Sequence, residues 1–385
     1  MAVTDDVRTR PKNRRELILA AASLRFHQQG YARTSLDDIA KDLGVTAPAL
    51  YRHFRSKDDL YTAVLELNLR HLERCITEAE SADHAIRSLA EVAVEYPTLG
   101  LLWNTDRRRR LVDPDGSLQT RLSSAADSLA TLFEPKAGRE LSRLLARGAL
   151  AASSSTGFYE TGLAPFAQAK QLERAVAAVA VFRPTDPLVT LEVSTEQVVT
   201  RPWATRRSAL LDAGAVLVVD RGGYQAVTIE EIAATAGVSP NTVYLHFTGK
   251  ADLFVAVLRR AASWLTAAVQ QASAQASSAE EALRLAIASS LELSAQHPSW
   301  TSSLADEMTN LPSDQVAELI SSVEEYLDEW LALCVANAPA LSVDEVRVRM
   351  RAGLAVLDDR ALEAADRRVL SSADSADLML AILRS

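Results

Sequence analysis

The sequence predicts an all-α protein built from two tandem units, and three observations carry that prediction. The stretch from Arg14 to Glu66 recurs without a gap as Arg207 to Arg259, with 20 of 53 positions identical. The offset of 193 residues is half of the 385-residue chain, so one architecture is written twice. Apolar residues recur at helical spacing in both halves, and Gly (14) and Pro (13) are sparse, which favours helices over strands. The chain also exceeds the roughly 250–300 residues that a single core usually serves.

In the first copy, helix one runs from Arg14 to Gln28 with Leu17, Ala21 and Leu24 on its apolar face, and Gly30 follows as a C′ residue. Helix two is announced by Ser35-Leu-Asp-Asp38 in one copy and Thr228-Ile-Glu-Glu231 in the other. Both read as capping boxes, in which a hydroxyl takes one orphan N–H and the acid three residues on reaches back to another. Gly44 and Gly237 mark the turn, where φ must become positive. Helix three follows Thr46 and Ser239 as N-caps, with Pro240 at N1. Ile39/Ile232, Val45/Val238, Leu50/Val243, Phe54/Phe247 and Leu60/Leu253 form the shared apolar set, read as packing.

Helical patterning continues over about 57–80, 84–95, 98–110, 117–133, 137–156 and 165–182. In the second half it covers about 250–276, 279–296, 299–309, 313–336, 342–357 and 360–384. The expected domains are an N-terminal arm with a first three-helix module (1–56), a helical domain (57–182), a linker (183–203), a second module (204–249) and a second helical domain (250–385). The linker holds three prolines, and its β-branched middle, 188–193, suits an extended strand.

Net charge is −9, but it is unevenly spread. Residues 1–60 carry 11 Lys/Arg against 8 Asp/Glu, and residues 201–260 carry 7 against 5. Residues 301–350 hold 10 acidic residues and two arginines. Local charge governs contact with phosphates, so the modules remain fit for nucleic acid. Only Cys75 and Cys334 occur, which argues against a disulfide framework and fits a reducing compartment. No apolar run approaches the roughly 20 residues that span a bilayer, and the N-terminus has no signal-like apolar core. A cytoplasmic, nucleoid-associated protein without a membrane partner is expected.

The run Gly44-Val-Thr-Ala-Pro-Ala-Leu-Tyr51-Arg-His53-Phe54-Arg-Ser-Lys57-Asp-Asp-Leu60 resembles the DNA-binding signature of the TetR family of transcriptional regulators. So does Gly237-Val-Ser-Pro-Asn-Thr-Val-Tyr244-Leu-His246-Phe247-Thr-Gly-Lys250-Ala-Asp-Leu253. The resemblance implies two TetR-like units, each a helix-turn-helix module followed by a helical ligand-binding and dimerisation bundle. It implies that the last two helices of each half pair into an intramolecular pseudo-dimer. It also implies a ligand-responsive regulator, a repressor released from double-stranded DNA by an apolar small-molecule effector. Tyr51, His53, Lys57, Tyr244, His246 and Lys250 match the family's phosphate contacts.

A helix-turn-helix lays its second helix in the major groove with N-terminal residues on base edges. Those residues are Thr46, Ala47, Pro48, Ala49 and Arg52 in one copy, and Ser239, Pro240, Asn241, Thr242 and Leu245 in the other. The capping residues Ser35 and Thr228 belong to the same candidate DNA face. The Tyr and His positions either meet phosphates or pad the module. Lys57 and Lys250 open helix four, where a cation and free N–H groups together suit a phosphate. Arg52 suits a guanine and Asn241 an adenine, so an operator with dissimilar half-sites is expected. Pro48 departs from the family pattern and removes one donor. Arg8, Arg10, Lys12, Arg14 and Arg15 form a basic arm that either follows the DNA or is a solvated tail. A pseudo-dimer would set the reading helices about one helical turn of DNA apart, roughly 34–36 Å.

Tyr96, Trp103, Phe133, Phe158, Trp264, Trp300, Met308, Tyr326 and Trp330 either line effector cavities between helices or pack the core. Arg107 to Arg110 read as a solvated helix end, or as a contact for an anion. His71 and Cys75 lie one turn apart but lack a third ligand, so no metal is expected. No Gly-rich phosphate loop and no nucleophile–base arrangement occurs, so neither cofactor nor enzyme activity is expected. The rival reading is a ligand- or protein-binding adaptor with one or both modules vestigial, which substitution of Tyr51 and Tyr244 would distinguish.

Overall fold

A computed structural model describes residues 14–102, 116–133, 138–190, 205–221, 223–297, 299–300, 311, 313–359 and 368–385. Among them, eight α-helices lie in each half. The first half contains α1 (Arg14–Arg33), α2 (Leu36–Asp42), α3 (Ala47–Tyr51), α4 (Lys57–Thr77), α5 (Ala82–Glu95), α6 (Ser117–Phe133), α7 (Arg139–Ser154) and α8 (Pro165–Val181). The second contains α9 (Arg206–Asp220), α10 (Ile229–Thr235), α11 (Pro240–Tyr244), α12 (Lys250–Gln275), α13 (Ala279–Gln296), α14 (Ser313–Asn337), α15 (Val343–Asp359) and α16 (Ser372–Arg384). The fold is all-α, as two tandem TetR-like units. Its one described sheet is an antiparallel ladder of β1 (Val189–Thr190) and β2 (Arg368–Val369), pairing Val189 with Val369.

Two expectations about these elements need correction. The predicted helix 98–110 begins as a 3-10 helix, Pro97–Leu102, and its remainder lies outside the described residues. The predicted helix 360–384 is described only from Arg368, where it is a strand held by the linker, and α16 starts after Ser371. Ser371 stops the strand and starts the helix, because its side chain accepts from the Asp374 N–H at 3.0 Å. The predicted strand in the linker exists as β1; 191–203 lies outside the described residues.

The first helix shows that the repeat is gapped. Leu17 and Leu24, expected in the core, are 50% and 49% exposed. The buried face of α1 is Ile18, Leu19, Ala22, Ser23 and Phe26. Shifted by 192 rather than 193, these become Leu210, Leu211, Gly214, Ala215 and Val218, all buried in α9. The Arg15 guanidinium sits over the Phe54 ring at 5.2 Å, and Arg207 over Phe247 at 4.9 Å, again 192 apart. From Tyr31/Tyr224 onward the offset is 193. The second copy therefore carries one extra residue between its first two helices.

The two halves meet through their last two helices. α15 packs on both α7 and α8, and α16 packs on α8. Val348, Ala352, Leu378 and Ile382 join the core of the first half. A Cβ on Gly148 would begin 3.1 Å from Val356 Cγ1, so an alanine there would require Val356 to give by a few tenths of an ångström. Arg349 is fully buried in the seam. Its Nε donates to Gln171 Oε1 at 2.8 Å and its Nη1 to the Leu383 carbonyl at 2.9 Å. Gln171 Nε2 donates in turn to Glu345 Oε1 at 2.7 Å. Asp374, 1% exposed, accepts from the Thr185 N–H at 2.7 Å, the Thr185 hydroxyl at 3.0 Å and the Asp186 N–H at 3.2 Å. The chain is thus an intramolecular pseudo-dimer with a core-like interface.

Candidate nucleic-acid interface

Each module builds its reading helix with the same local devices. Ser35 accepts from the Asp38 N–H at 3.1 Å, and Thr228 accepts from the Glu231 N–H at 3.2 Å. Glu231 completes the box by accepting from the Thr228 N–H at 3.0 Å. Asp38 does not; it takes the Ser35 hydroxyl at 2.6 Å instead. The Asp38 carboxylate is turned onto that hydroxyl rather than the N-cap backbone, so the capping box is complete in one copy only. Gly44 (φ 62°) and Gly237 (φ 68°) then end helix two in left-handed geometry. The N–H of Val45 reaches back to Ala40 at 2.9 Å and that of Val238 to Ala233 at 2.9 Å, which closes a Schellman turn in both copies.

Those turns set the exposure of α3 and α11. Leu50, Val243, Phe54 and Phe247 are buried with Ile39 and Ile232. The opposite face carries Tyr51 (55% exposed), Tyr244 (59%) and Leu245 (78%). Thr46, Pro48, Arg52 and His53 are exposed on one head, and Ser239, Pro240, Asn241 and His246 on the other. Ala47, Ala49 and Thr242 are half-buried. Thr46 and Ser239 hold N-cap positions, but neither hydroxyl caps the helix. In the first copy the N2 residue is Pro48, which has no N–H to offer, and the Ala49 N–H bonds the Thr46 carbonyl at 2.8 Å. In the second, the Ser239 and Thr242 hydroxyls pair with each other at 3.0 Å.

The lysines at the start of helix four do not stand as expected. Lys57 Nζ lies over the Tyr31 ring at 4.1 Å, and Lys250 Nζ over the Tyr224 ring at 4.3 Å. Lys250 also donates to the Tyr224 carbonyl at 3.0 Å and the Val227 carbonyl at 2.9 Å. Burial pushes its pKa below the usual lysine value. Asp59 takes the Arg55 N–H at 2.8 Å, and Asp252 takes the Thr248 N–H at 2.8 Å, so a carboxylate in each first turn fixes the residue just ahead of the N-cap. What sequence reasoning missed beside the heads is the role of Arg15 and Arg207. Their stacking on Phe54 and Phe247 fixes a cation next to each reading helix. Arg8, Arg10 and Lys12 lie outside the described residues.

In the helical domains, Tyr96 and Phe133 pack against the core of the first half, and Trp264, Trp300 and Tyr326 against one core cluster of the second. Tyr96 stacks on His71 at 4.1 Å. Trp264 meets His297 at 5.0 Å and Trp300 at 5.1 Å, while Tyr326 makes an edge contact with Trp330 at 6.4 Å. Phe133 is half-buried against the first core. Trp103, Met308, Arg107–Arg110 and the side chain of Phe158 lie outside the described residues. An open apolar groove of about 540 Å³ does exist at the seam, bordered by Arg174, Ala178, Val181, Phe182 and Ala381, and it holds none of the predicted residues. Burial raises the thiols of Cys75 and Cys334 to about 11 and about 12, so both stay protonated at neutral pH. Among the described residues no cluster of metal-ligating side chains occurs, and no helix is long and apolar enough to cross a membrane.

The pattern of the bacterial regulatory proteins of the tetR family matches twice, over residues 18–64 and 210–257. The transcriptional activator FasR of Mycolicibacterium smegmatis is 35% identical over 159 residues, covering 38% of this chain and 71% of that protein. The chain belongs to the TetR family. The transcriptional regulator AcrR of Shigella flexneri is 48% identical over 100 residues, 26% of this chain and 45% of that protein. A TetR-family regulator of known structure from Bordetella parapertussis aligns at 16% identity with a TM-score of 0.42, over 47% of this chain and 95% of its own. This chain is a transcriptional regulator with two helix-turn-helix modules of the TetR type.

Proposed function

We propose that this TetR-family chain acts as a monomeric repressor that grips one operator with two unlike heads, each reading a different half-site. The carrying observation is that both heads expose the same Tyr and His pair while differing at Pro48/Asn241 and Arg52/Leu245, and that both hang on one intramolecular interface. Tyr51, His53, Tyr244 and His246 hold the backbone, with Arg15 and Arg207 beside them. Arg52 reads a guanine in one half-site. Asn241 reads an adenine in the other, and Leu245 covers a thymine methyl there. Thr46, Ala47, Ala49, Ser239, Pro240 and Thr242 shape the fit of each helix to the groove. The two reading helices span about one turn of DNA, roughly 34–36 Å. An apolar effector in one or both helical domains moves α4 or α12 and shifts the chain toward a DNA-incompetent spacing of its heads.

Selection of duplexes from a random-sequence pool by the full chain tests this reading, followed by titration of the best duplex. One chain per duplex on a non-palindromic site is expected. Two chains on a palindrome, or no selected sequence, would refute it.

A further inference from the structure

In both units an aromatic ring that directly follows a positive-φ glycine (Gly30, which kinks the end of α1, or Gly223) in the segment leading into helix two is gripped by the start of helix four. Tyr31 lies under Lys57 Nζ, donates its hydroxyl to Asp58 and meets the Tyr61 ring edge-on at 5.0 Å. Tyr224 lies under Lys250 Nζ and meets Phe254 edge-on at 5.1 Å. Lys250 adds hydrogen bonds to two carbonyls of the same loop, Tyr224 and Val227. Val227 directly precedes Thr228, the N-cap of α10. The grip therefore spans from the start of α12 to the start of the helix-turn-helix, while α12 itself runs on to pack against α13 and α14.

We propose that Lys57 and Lys250 are positioning residues, each fastening helix four to the loop that carries the N-cap of helix two, so that the head moves with helix four as one body. An ammonium has three donors, and Lys250 spends two of them on loop carbonyls. At most one donor is then left for a phosphate, and the ammonium is held on the loop whether or not it uses it. The pairing recurs at an offset of 193 in both copies although the contacts around it differ, which is the pattern of a joint that both heads need. The proposal rests on the DNA-binding reading above.

The test uses the full chain and a duplex that the unsubstituted chain has selected, titrated over a salt series. Lys250→Met and Tyr224→Leu are each expected to weaken binding about tenfold, the scale of one misplaced base contact, and the double variant no further. Tyr224 is 8% exposed and can affect DNA only through position. The slope of log affinity against log salt stays unchanged, whereas loss of one phosphate contact lowers it by about 0.9. A slope lowered by that amount in Lys250→Met, with normal binding by Tyr224→Leu, overturns the proposal. So does a lowered melting temperature with unchanged binding well below it, because the pair would then serve stability alone. Should the Lys250 variant fail to fold, Lys57→Met and Tyr31→Leu make the same comparison on the other head. If the unsubstituted chain selects no duplex, the DNA reading fails first and takes this proposal with it.

Discussion

Replacing Asp374 with alanine opens the clasp that ties the exit of the first half to α16. The carboxylate collects the N–H groups of Thr185 and Asp186 and the hydroxyls of Thr185 and Ser371. Hydrogen bonds to a charged acceptor are worth about 1.5–3 kcal/mol each, but members of one network do not add. Thr185 and Asp186 are exposed, so water would re-satisfy part of what alanine abandons. A net loss of about 3 kcal/mol is expected. At about 2.1 cal/mol/K of unfolding entropy per residue, that lowers the melting temperature by about 4 °C if the whole chain melts as one unit. It lowers it by about 8 °C if only the second half does, so the size of the shift also reports cooperativity between halves. Thermal melting of the full chain by far-UV circular dichroism reads this directly. The pH dependence gives a second check. Burial pushes the Asp374 pKa up, but the Thr185 and Asp186 N–H groups and the Ser371 and Thr185 hydroxyls together hold it below the usual carboxylate value. A folded pKa below the unfolded one means the stabilisation is complete above about pH 4 and fades as pH falls through the folded value. The two proteins should differ constantly across neutral pH, and the difference should narrow as pH falls below about 4, without vanishing, because a neutral carboxyl still accepts hydrogen bonds. Equal melting near neutrality, or a difference that widens on acidification, would refute the reasoning.

Other substitutions reach other parts of the molecule. A Cβ on Gly157 would overlap the Pro97 carbonyl and the His27 ring, so Gly157→Ala should cost about 1–3 kcal/mol in chemical denaturation. Adding His27→Ala should not restore it, because the Pro97 carbonyl remains in the way. Asp38→Glu places in the first module the residue that completes the box in the second and should stabilise the first module by about 0.5 kcal/mol, measured by the same denaturation. Uracil in place of the thymine under Leu245 removes one methyl and should weaken binding about fourfold, from about 0.8 kcal/mol per buried carbon. In a uracil scan of the selected duplex, Leu245→Ala should be indifferent at that position; equal loss in both proteins would sink the contact.

Much of the fold was legible because repeated signals agreed. Caps at Ser35 and Thr228, turns at Gly44 and Gly237, and the buried set around Phe54 and Phe247 each carry a local physical cause that composition displays. The face of α1 was not legible, because Leu17, Ile18 and Leu19 are all apolar and two helical registers fit them equally well. Burial chose one and so exposed the extra residue in the second copy. The exposed Tyr and His of each head followed from spacing alone. The inward turn of Lys250 did not, since its partners are backbone carbonyls and a ring 26 residues upstream, and no side-chain pattern announces a carbonyl. Likewise the choice of Asp38 for the Ser35 hydroxyl over the backbone is visible only in the bond itself.

The seam built on Arg349, Gln171 and Gly148 also changes how such a regulator would answer to its own abundance. Two separate subunits must first find each other, so at low copy number their joint occupancy of a site falls with the square of concentration. Here the partner is covalently present at a fixed local concentration, and that assembly step drops out. Occupancy then falls only in direct proportion as a cell dilutes its proteins by growth. Each head is also free to drift by mutation without altering the other, a freedom that a symmetric pair encoded by one module does not have.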